Sequence, residues 1–269
     1  MVMYYCTEVF GFPVYQHITE PSTEVPEDLL EMALDDMRRL AASEPLQYVL
    51  GYTEFCGRRF AVDERALIPR AETEVLCQKA EEMAKDAKRI LDLCTGSGCI
   101  AWTLALDLPG AQVVATDLSQ DALDLADSQF RTASGRPSRL PKGALRPRFV
   151  KADLLDTEAT VAAAGDSFNL LTANPPYVMV AEKADMRQNV LGWEPHMAIF
   201  APEEDPLVFH KAIAEVAMRV LVSGGCGIVE INSEIPDQTA AVFTAAGFED
   251  IRIIPDYFDR PRFISFRRP

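Results

Sequence analysis

Short apolar runs alternate with helical patterns along most of the chain, which predicts a parallel α/β sheet. From residue 89 onward, strand-length runs are separated by stretches with helical spacing. The runs that carry this pattern cover about 90–93, 113–116, 148–151 and 168–173. Further strands at about 226–231, 250–254 and 262–266 are expected to complete the sheet, which ends in an antiparallel hairpin.

The N-terminal part of the chain predicts two smaller units ahead of this sheet. Residues 1–45 begin irregularly and then form one amphipathic helix, with Pro26 in its first turn. Residues 46–66 form a linking β-hairpin, because their aromatic and β-branched run is interrupted by glycines. We therefore expect a small helical cap at 1–45, the hairpin linker at 46–66 and a main domain at 67–269.

Composition and charge narrow the class of protein. The 269 residues are 48% hydrophobic and 25% charged, which is ordinary for one large globular domain or for a main domain with a small appendage. The formal net charge of -15 argues against a broad phosphate-binding surface, which needs clustered lysine and arginine. The basic stretch 131–148 is interpreted as a solvated loop. We expect no direct binding of nucleic acid.

Cysteine and histidine usage predicts neither a metal site nor a disulfide framework. The six cysteines form no Cys-x-x-Cys pair, and the chain has three histidines. The N-terminus lacks a basic segment followed by an apolar one, and no run of about 18 apolar residues occurs. The expectation is a reduced, soluble, cytoplasmic protein that does not enter a membrane.

Asn174-Pro175-Pro176-Tyr177 follows the apolar run 168–173 and therefore lies at the carboxyl end of a predicted strand. Proline has no N–H and restricts the preceding residue to an extended backbone, so the strand must end there. The turn presents an amide side chain, backbone carbonyls and one aromatic face. These groups suit a flat ligand that carries an NH2, such as a carboxamide or a nucleobase amine. An ordinary Asn-Pro turn with Tyr177 packed beside it explains the four residues equally well.

A glycine turn, Asp92-Leu93-Cys94-Thr95-Gly96-Ser97-Gly98, follows the first strand of the sheet. Gly96 and Gly98 let the backbone approach a ligand at the N-terminus of the next helix. The Gly-x-Gly-x-x-Gly pattern of dinucleotide sites is incomplete, because Ala101 stands at the third glycine position. Asp92 would repel a pyrophosphate, whereas it suits a nucleoside that carries a positive aminoalkyl-sulfonium group.

Acidic residues end the next two strands. Asp117 lies about 20 positions after Gly98, where such folds carry the acceptor for ribose hydroxyls. Asp153 and Leu154 follow the third strand and suit an adenine amine and an adenine face. The carboxyl ends of strands in an open α/β sheet lie along one crevice, so the glycine turn, both aspartates and Asn174 are predicted to share one site.

Taken together, these residues resemble the class I S-adenosylmethionine-dependent methyltransferases, and among them the glutamine N5-methyltransferases that modify peptide chain release factors. The matching segments are 44–48, 51–60, 67–74, 91–98, Asp117, 174–177, Glu194-Pro195, Gly224-Gly225, Glu230-Ile231 and Gly247-Phe248. The 67–74 motif with the hairpin is more particular to this family than Asn-Pro-Pro-Tyr is. The chain departs from the family at Cys94, where glycine is usual, at Ala71, where proline is usual, and in a shorter N-terminal helical region.

The resemblance implies a Rossmann-like enzyme that binds S-adenosyl-L-methionine and releases S-adenosyl-L-homocysteine. The implied donor contacts are Cys94, Thr95, Gly96, Ser97, Gly98, Asp117, Leu154 and Asn174, to which the strand-end argument adds Asp92 and Asp153. The implied substrate contacts are Asn174, Pro175, Pro176 and Tyr177, with Glu194 as a further candidate. The implied protein substrate is a peptide chain release factor, docked by the region 1–45.

A glutamine amide nitrogen is a poor nucleophile, because its lone pair is delocalised into the carbonyl. If the Asn174 side-chain oxygen and the Pro175 carbonyl each accept an amide hydrogen, the nitrogen is oriented and made more electron-rich, while Tyr177 stacks on the amide plane. Approach at roughly 3–3.5 Å then supplies much of the acceleration. The carbonyl dipoles also stabilise the positive charge that grows on the nitrogen. No histidine base is required, so His196 and His210 are interpreted as noncatalytic.

Other functions remain compatible with parts of the sequence. A ribosomal-protein glutamine methyltransferase is hard to separate by pattern. An adenine N6 amino-methyltransferase uses the same tetrapeptide, but the chain shows no evident basic or target-recognition segment. A non-catalytic donor-binding protein is disfavoured by the complete set of strand-end residues. Methylation of the glutamine in a Gly-Gly-Gln motif is the preferred hypothesis.

Overall fold

The chain folds into a helical cap, a hairpin and an α/β sheet. This computed structural model describes residues 2–132 and 135–269. Met1, in the predicted cap, and Ala133 and Ser134, in the basic stretch, lie outside these ranges. In chain order, the elements are α1 (Val2–Phe10), α2 (Gln16–Thr19), α3 (Glu27–Ala41), α4 (Leu46–Leu50), β1 (Tyr52–Phe55), β2 (Arg58–Ala61), α5 (Ala71–Met83), β3 (Arg89–Leu93), α6 (Cys99–Asp107), β4 (Gln112–Asp117), α7 (Gln120–Ser128), β5 (Arg148–Lys151), α8 (Thr157–Ala164), β6 (Phe168–Ala173), α9 (Gln188–Trp193), α10 (Val208–Val220), β7 (Leu221–Glu230), α11 (Pro236–Ala245), β8 (Glu249–Pro255) and β9 (Pro261–Arg267), with 3-10 helices at Val180–Asp185 and His196–Ala198.

The cap is more helical than its sequence predicts. The amphipathic helix is confirmed as α3, but the expectation of an irregular start was wrong, because α1 occupies it. α1 has neither an acidic residue in its first turn nor a basic residue in its last turn, so the usual signals of helix ends are missing. Its buried residue is Tyr5, whose hydroxyl donates to Asp36 Oδ2 of α3 at 2.6 Å. The contact that holds α1 therefore spans two elements and leaves no local pattern.

The linking hairpin is confirmed but is shorter than predicted. Tyr48 belongs to α4 instead of a strand, and its hydroxyl donates to the Ala66 carbonyl at 2.8 Å. The hairpin consists of β1 and β2, joined by the two residues Cys56 and Gly57. Both turn residues have positive φ, 47° and 68°, as a two-residue turn between twisted antiparallel strands requires.

Seven strands of the described residues form the main sheet, in the order β5-β4-β3-β6-β7-β9-β8. β3 to β7 run parallel, whereas β9 pairs antiparallel with β7 and with β8. The predicted Rossmann-like α/β sheet with its terminal antiparallel hairpin is confirmed. The sequence pattern does not predict α8 and α11, because their alanine-rich sequences show little contrast between faces.

Alternate residues of each central strand supply two cores, one on each face of the sheet. Ile90 and Leu170 pack with residues of α5 and α6. Their neighbours Leu91 and Leu171 pack with residues of α10 and α11, because successive side chains of a strand point to opposite faces. With both faces apolar, the strand ends are the places where polar side chains can meet a ligand.

The carboxyl ends of the parallel strands lie along one edge of the sheet. β3 is central, with Leu93 paired to Thr116 of β4 on one side and to Ala173 of β6 on the other. β4 and β5 follow β3 in the chain and lie on one side of it. The chain then returns to the other side of β3, where β6 and β7 lie. Ligands of open α/β sheets bind where the strand order reverses in this way.

Gly227 of β7 lies against the Phe266 ring, so it provides a test of the packing. An added Cβ would lie 2.5 Å from Phe266 Cε2, and that ring stacks on Phe243 with centroids 4.4 Å apart. We predict that Gly227→Ala lowers the free energy of unfolding by about 2–3 kcal/mol, because the stacked rings cannot move aside. Urea denaturation followed by circular dichroism measures the loss.

The matched control is Gly192→Ala in α9. A Cβ at Gly192 meets nothing within 4 Å, and alanine favours a helix over glycine by up to about 1 kcal/mol. Gly192→Ala should therefore be neutral or slightly stabilising. Equal unfolding midpoints for the two variants would contradict the packing described for Phe266.

Candidate active site

Two cavities open at the carboxyl edge of the sheet and meet at Asn174. The glycine-turn cavity, of about 310 Å³, is lined by the turn after β3 and by residues that follow β4, β5 and β6. The tetrapeptide cavity, of about 370 Å³, is lined by Asn174, Pro175 and Tyr177 and by residues of 185–199. Leu67 and Arg70 line both cavities, as Asn174 does. A group bound in either cavity can therefore reach the same amide.

Most of the predicted donor residues lie on the wall of the glycine-turn cavity. Those that line it are Cys94, Thr95, Gly96, Ser97, Asp117, Asp153, Leu154 and Asn174. Pro176, predicted as a substrate contact, also lines this cavity and is not among the lining residues of the tetrapeptide cavity. Asp92 and Gly98 are not among its lining residues. A further groove, of about 660 Å³, lies between α10 and α11 and contains none of the predicted residues.

Asp117 holds the glycine turn in place. Its Oδ2 atom accepts the Gly96 N–H at 2.8 Å, and its Oδ1 atom accepts the Ser119 N–H at 2.9 Å. Burial raises the pKa of Asp117. A carboxylate oxygen has two lone pairs, so each oxygen keeps one acceptor position beyond its bond to the backbone. Gly96 has a φ of 55°, and nothing lies within 4 Å of where its Cβ would be.

Gly98 is required by packing between helices. It precedes α6 with a φ of 80°, and an added Cβ would lie 2.9 Å from the Ala126 Cβ and 3.2 Å from the Trp102 ring. The expectation was a close approach of backbone to ligand at this glycine. In the structure, a side chain at this position is excluded by the close approach of α6 to α7.

Asp92 is fully buried behind the turn. Its Oδ2 atom accepts the Thr95 hydroxyl at 2.6 Å, and its Oδ1 atom accepts the Thr172 hydroxyl at 2.7 Å. Burial raises the pKa of Asp92 to about 7, against the lowering effect of the two hydroxyl donors. Asp92 therefore supports Thr95, which does line the cavity, and has no surface on the cavity itself.

Asn174 and Tyr177 are anchored by hydrogen bonds to side chains of neighbouring elements. Asn174 Nδ2 donates to Thr73 Oγ1 at 3.4 Å, and the Tyr177 hydroxyl donates to Glu230 Oε1 at 2.7 Å. Asn232 Nδ2 adds a bond to the Tyr177 carbonyl at 3.1 Å. The tetrapeptide is thus tied to α5 and to the end of β7.

Glu194, the further substrate candidate, is buried beside Arg70. Arg70 Nη2 lies 2.7 Å from Oε1 and 2.9 Å from Oε2 of this carboxylate, which also accepts the Ile68 N–H at 3.1 Å. Glu194 lines neither cavity, whereas Arg70 lines both. The carboxylate therefore fixes the arginine at the junction of the two cavities.

Known proteins are similar in sequence to this chain over most of its length. Residues 71–191 match the family described as Methyltransferase small domain. A release factor glutamine methyltransferase of Bacteroides thetaiotaomicron is 38% identical over 230 residues, which cover 86% of this chain and 78% of that protein. The chain belongs to the release factor glutamine methyltransferase family. A relative of the same name from Chlorobaculum tepidum is 39% identical over 237 residues, which cover 85% and 76%.

The fold agrees with that of solved methyltransferases. A crystal structure of a methyltransferase from Pyrococcus furiosus aligns with a TM-score of 0.51 and 12% identity, covering 90% of this chain and 99% of that one. At this identity the likeness concerns the fold, and it supports the class I methyltransferase sheet. Within residues 2–132 and 135–269, no helix has the length and apolarity to span a bilayer.

Several residues around the tetrapeptide of this family member were not singled out by sequence reasoning. Thr73 is buried in the first turn of α5, and Glu230 is buried at the end of β7. Burial would lower the pKa of the Arg262 guanidinium in β9, but nearby acidic side chains, Glu230 and Asp256 among them, raise it. Thr73 and Glu230 fall in sequence segments that match the family. That match is the sequence signal by which they could have been identified.

The histidines near the site are bound to backbone carbonyls. His210 Nε2 lies 3.0 Å from the Glu230 carbonyl, and burial lowers the pKa of His210 to about 4. His196 Nε2 lies 2.8 Å from the Leu191 carbonyl. The described residues include no group of three or more His, Cys, Asp or Glu side chains that could hold a metal ion.

The raised pKa of Asp92 predicts a pH-dependent contribution to stability. The folded pKa of about 7 lies above the unfolded value of about 3.9, so the unfolded chain loses this proton at lower pH. The stability tied to the protonated form is complete below about pH 4 and is lost as the pH rises to about 7. In Asp92→Asn the side chain does not titrate, so the variant does not lose this stability as the pH rises. Its unfolding free energy relative to wild type should rise by about 2–4 kcal/mol between pH 4 and pH 7.

Urea denaturation at a series of pH values measures this difference, and circular dichroism checks that Asp92→Asn is folded. Wild type at each pH is the reference, so titration of the other groups cancels. A difference that stays constant from pH 4 to pH 8 would show that Asp92 titrates normally in the folded protein.

Proposed function

We propose that this protein transfers a methyl group from S-adenosyl-L-methionine to the side-chain amide nitrogen of the glutamine in the Gly-Gly-Gln motif of peptide chain release factors. The observation that carries the proposal is the meeting of two cavities at Asn174. One cavity has the groups for a nucleoside donor, and the other has the groups for a carboxamide. Membership in the release factor glutamine methyltransferase family supports this choice of substrate.

The glycine-turn cavity fits the methyl donor. Asp117 keeps acceptor positions for the ribose hydroxyls, while Asp153 and Leu154 offer an acceptor for the adenine amine and an apolar face for its ring. Thr95 and Gly96 present the turn to the rest of the donor. When bound, S-adenosylmethionine supplies an electrophilic methyl carbon on a positively charged sulfur.

The tetrapeptide cavity orients the glutamine. The Asn174 Oδ1 atom and the Pro175 carbonyl accept the two amide hydrogens, which fixes the nitrogen and turns its lone pair toward the other cavity. Tyr177 lies against the amide plane, held by its bond to Glu230. These dipoles stabilise the positive charge that develops on the nitrogen as the new N–C bond forms. The nitrogen then loses one proton to water.

Arg70 and Glu194 complete the junction between the cavities. Because both carboxylate oxygens of Glu194 face Arg70 and one also holds the Ile68 N–H, we assign Glu194 an indirect role in substrate binding. Breaking a buried pair of this kind leaves a charge without its partner, which is costly. The pair thus keeps a cationic side chain in a fixed place beside Asn174.

The helical cap, predicted as residues 1–45, is our candidate for docking the release factor in the cytoplasm. Among its described residues, Val14, Tyr15 and Ile18 are exposed large apolar side chains. Exposed apolar side chains grouped in one short segment are typical of protein contact surfaces. The hairpin linker 46–66 would then connect this cap to a methyltransferase domain at 67–269.

Incubation of the protein with labelled S-adenosylmethionine and purified release factor, ribosomal proteins or DNA, in separate reactions, tests the substrate. We expect label on the glutamine of Gly-Gly-Gln in the release factor, located by peptide mass mapping. Label confined to a ribosomal protein or to DNA would assign the protein to another substrate. Absence of transfer to all of them would favour a donor-binding protein without catalysis.

Asn174→Ala should abolish transfer in the same assay, because the lost group contacts the glutamine, while donor binding is retained at least in part through the other residues of the glycine-turn cavity. Asp117→Ala provides the contrast, since it removes the ribose acceptor and should weaken donor affinity by about tenfold or more. Isothermal titration measures both affinities. Full activity in Asn174→Ala would contradict the role of the amide.

A further inference from the structure

The hydrogen bonds around Asn174 run in one direction. Thr73 has a single hydroxyl proton, which it donates to Glu230 Oε2 at 2.8 Å. An ionised carboxylate only accepts, so Thr73 is the donor in this bond when Glu230 is ionised. With its proton committed, Thr73 Oγ1 can only accept from Asn174, which must then present its NH2 group at 3.4 Å. The amide oxygen is therefore the end of Asn174 that faces away from Thr73.

Glu230 is the acceptor at one end of the hydrogen bonds that link it through Thr73 to Asn174. Its side chain is buried at the end of β7, and its second oxygen accepts the Tyr177 hydroxyl at 2.7 Å. Burial raises the pKa of Tyr177, so the phenol keeps its proton and remains a donor. Burial raises the pKa of Glu230, against the lowering effects of the Tyr177 and Thr73 hydroxyls and of the nearby Arg262. One buried carboxylate thus fixes both polar side chains of the tetrapeptide.

We propose that Glu230 and Thr73 are positioning residues that hold the Asn174 amide with its oxygen toward the glutamine. The inference rests on the proposed function of Asn174 and adds the residues that determine its orientation. An inverted amide would direct its NH2 group at the NH2 group of the glutamine. Two donors would then face each other, and the glutamine nitrogen would lose its acceptor.

Thr73→Val tests this role, because valine has the shape of threonine without the hydroxyl. We expect kcat for methyl transfer to fall by about 10- to 100-fold, since the amide is free to invert. KM and Kd for S-adenosylmethionine should stay within about threefold of wild type, because valine keeps the shape of this side chain on the wall of the donor cavity. Thr73→Ser retains the hydroxyl and should restore most of the rate.

Thr103→Val is the matched control for removing a buried hydroxyl. Thr103 is buried in α6, and its Oγ1 atom has no hydrogen-bond partner among the described residues. This variant should keep the wild-type rate. The proposal is overturned if Thr73→Val also keeps the wild-type kcat, or if Thr73→Ser is as slow as Thr73→Val.

Glu230→Gln tests the same chain of hydrogen bonds at Glu230. It also provides a test of the proposal if Thr73→Val does not fold. A glutamine at this position has one donor group where the carboxylate has an acceptor, so Glu230→Gln cannot accept from both Thr73 and Tyr177. We expect a lower kcat with unchanged donor affinity. The double variant Thr73→Val with Glu230→Gln should lose no more than the slower single variant, within about threefold, because both act through one chain of bonds. A wild-type kcat in Glu230→Gln, or multiplicative losses in the double variant, would overturn the proposal.

A spectroscopic measurement separates this proposal from the choice of substrate. The side-chain NH2 signals of Asn174 can be identified in a nitrogen–proton correlation spectrum by their loss in Asn174→Ala. They should shift in Thr73→Val and stay in place in Thr103→Val, whether or not a release factor is the substrate. Unshifted signals in Thr73→Val would overturn the positioning role even if wild type methylates the release factor.

Discussion

The site depends on one amide oxygen that has no hydrogen-bond partner within residues 2–132 and 135–269, at the point where two cavities meet. Asn174 directly follows β6 and lines both cavities, and its NH2 group is already bound to Thr73. The oxygen is left for a ligand that brings its own donor. A carboxamide has two N–H hydrogens. One can be donated to this oxygen, and the other to the carbonyl of the neighbouring Pro175. The chemistry therefore rests on the direction of a few hydrogen bonds, and no titrating base is required.

The sheet makes this constraint possible. Parallel strands with apolar residues on both faces place their polar ends along one edge, so the glycine turn, Asp117 and Asn174 lie together although they are far apart in sequence. Buried acidic residues hold side chains that line the two cavities. Asp92 holds Thr95, Glu194 holds Arg70, and Glu230 holds Thr73 and Tyr177. Each acid is paired or hydrogen-bonded, as burial requires.

Much of the fold and the exposed part of the site follow from local sequence. The strand pattern, the hairpin and most of the donor residues are local features, and each has a turn or strand-end signal. The supporting contacts are different. Thr73 meets Glu230 across 157 positions and Arg70 meets Glu194 across 124, so no spacing rule connects them. The packing of Gly98 against Ala126 was not predicted either, because it depends on where Ala126 lies in space.

The most direct test is a crystal structure of the protein with S-adenosylhomocysteine and a peptide containing Gly-Gly-Gln. The account predicts the glutamine side chain in the tetrapeptide cavity, with its amide nitrogen within about 3.2 Å of Asn174 Oδ1 and the nucleoside in the glycine-turn cavity beside Asp117. A glutamine bound outside that cavity would contradict it. So would a glutamine whose carbonyl oxygen faces Asn174.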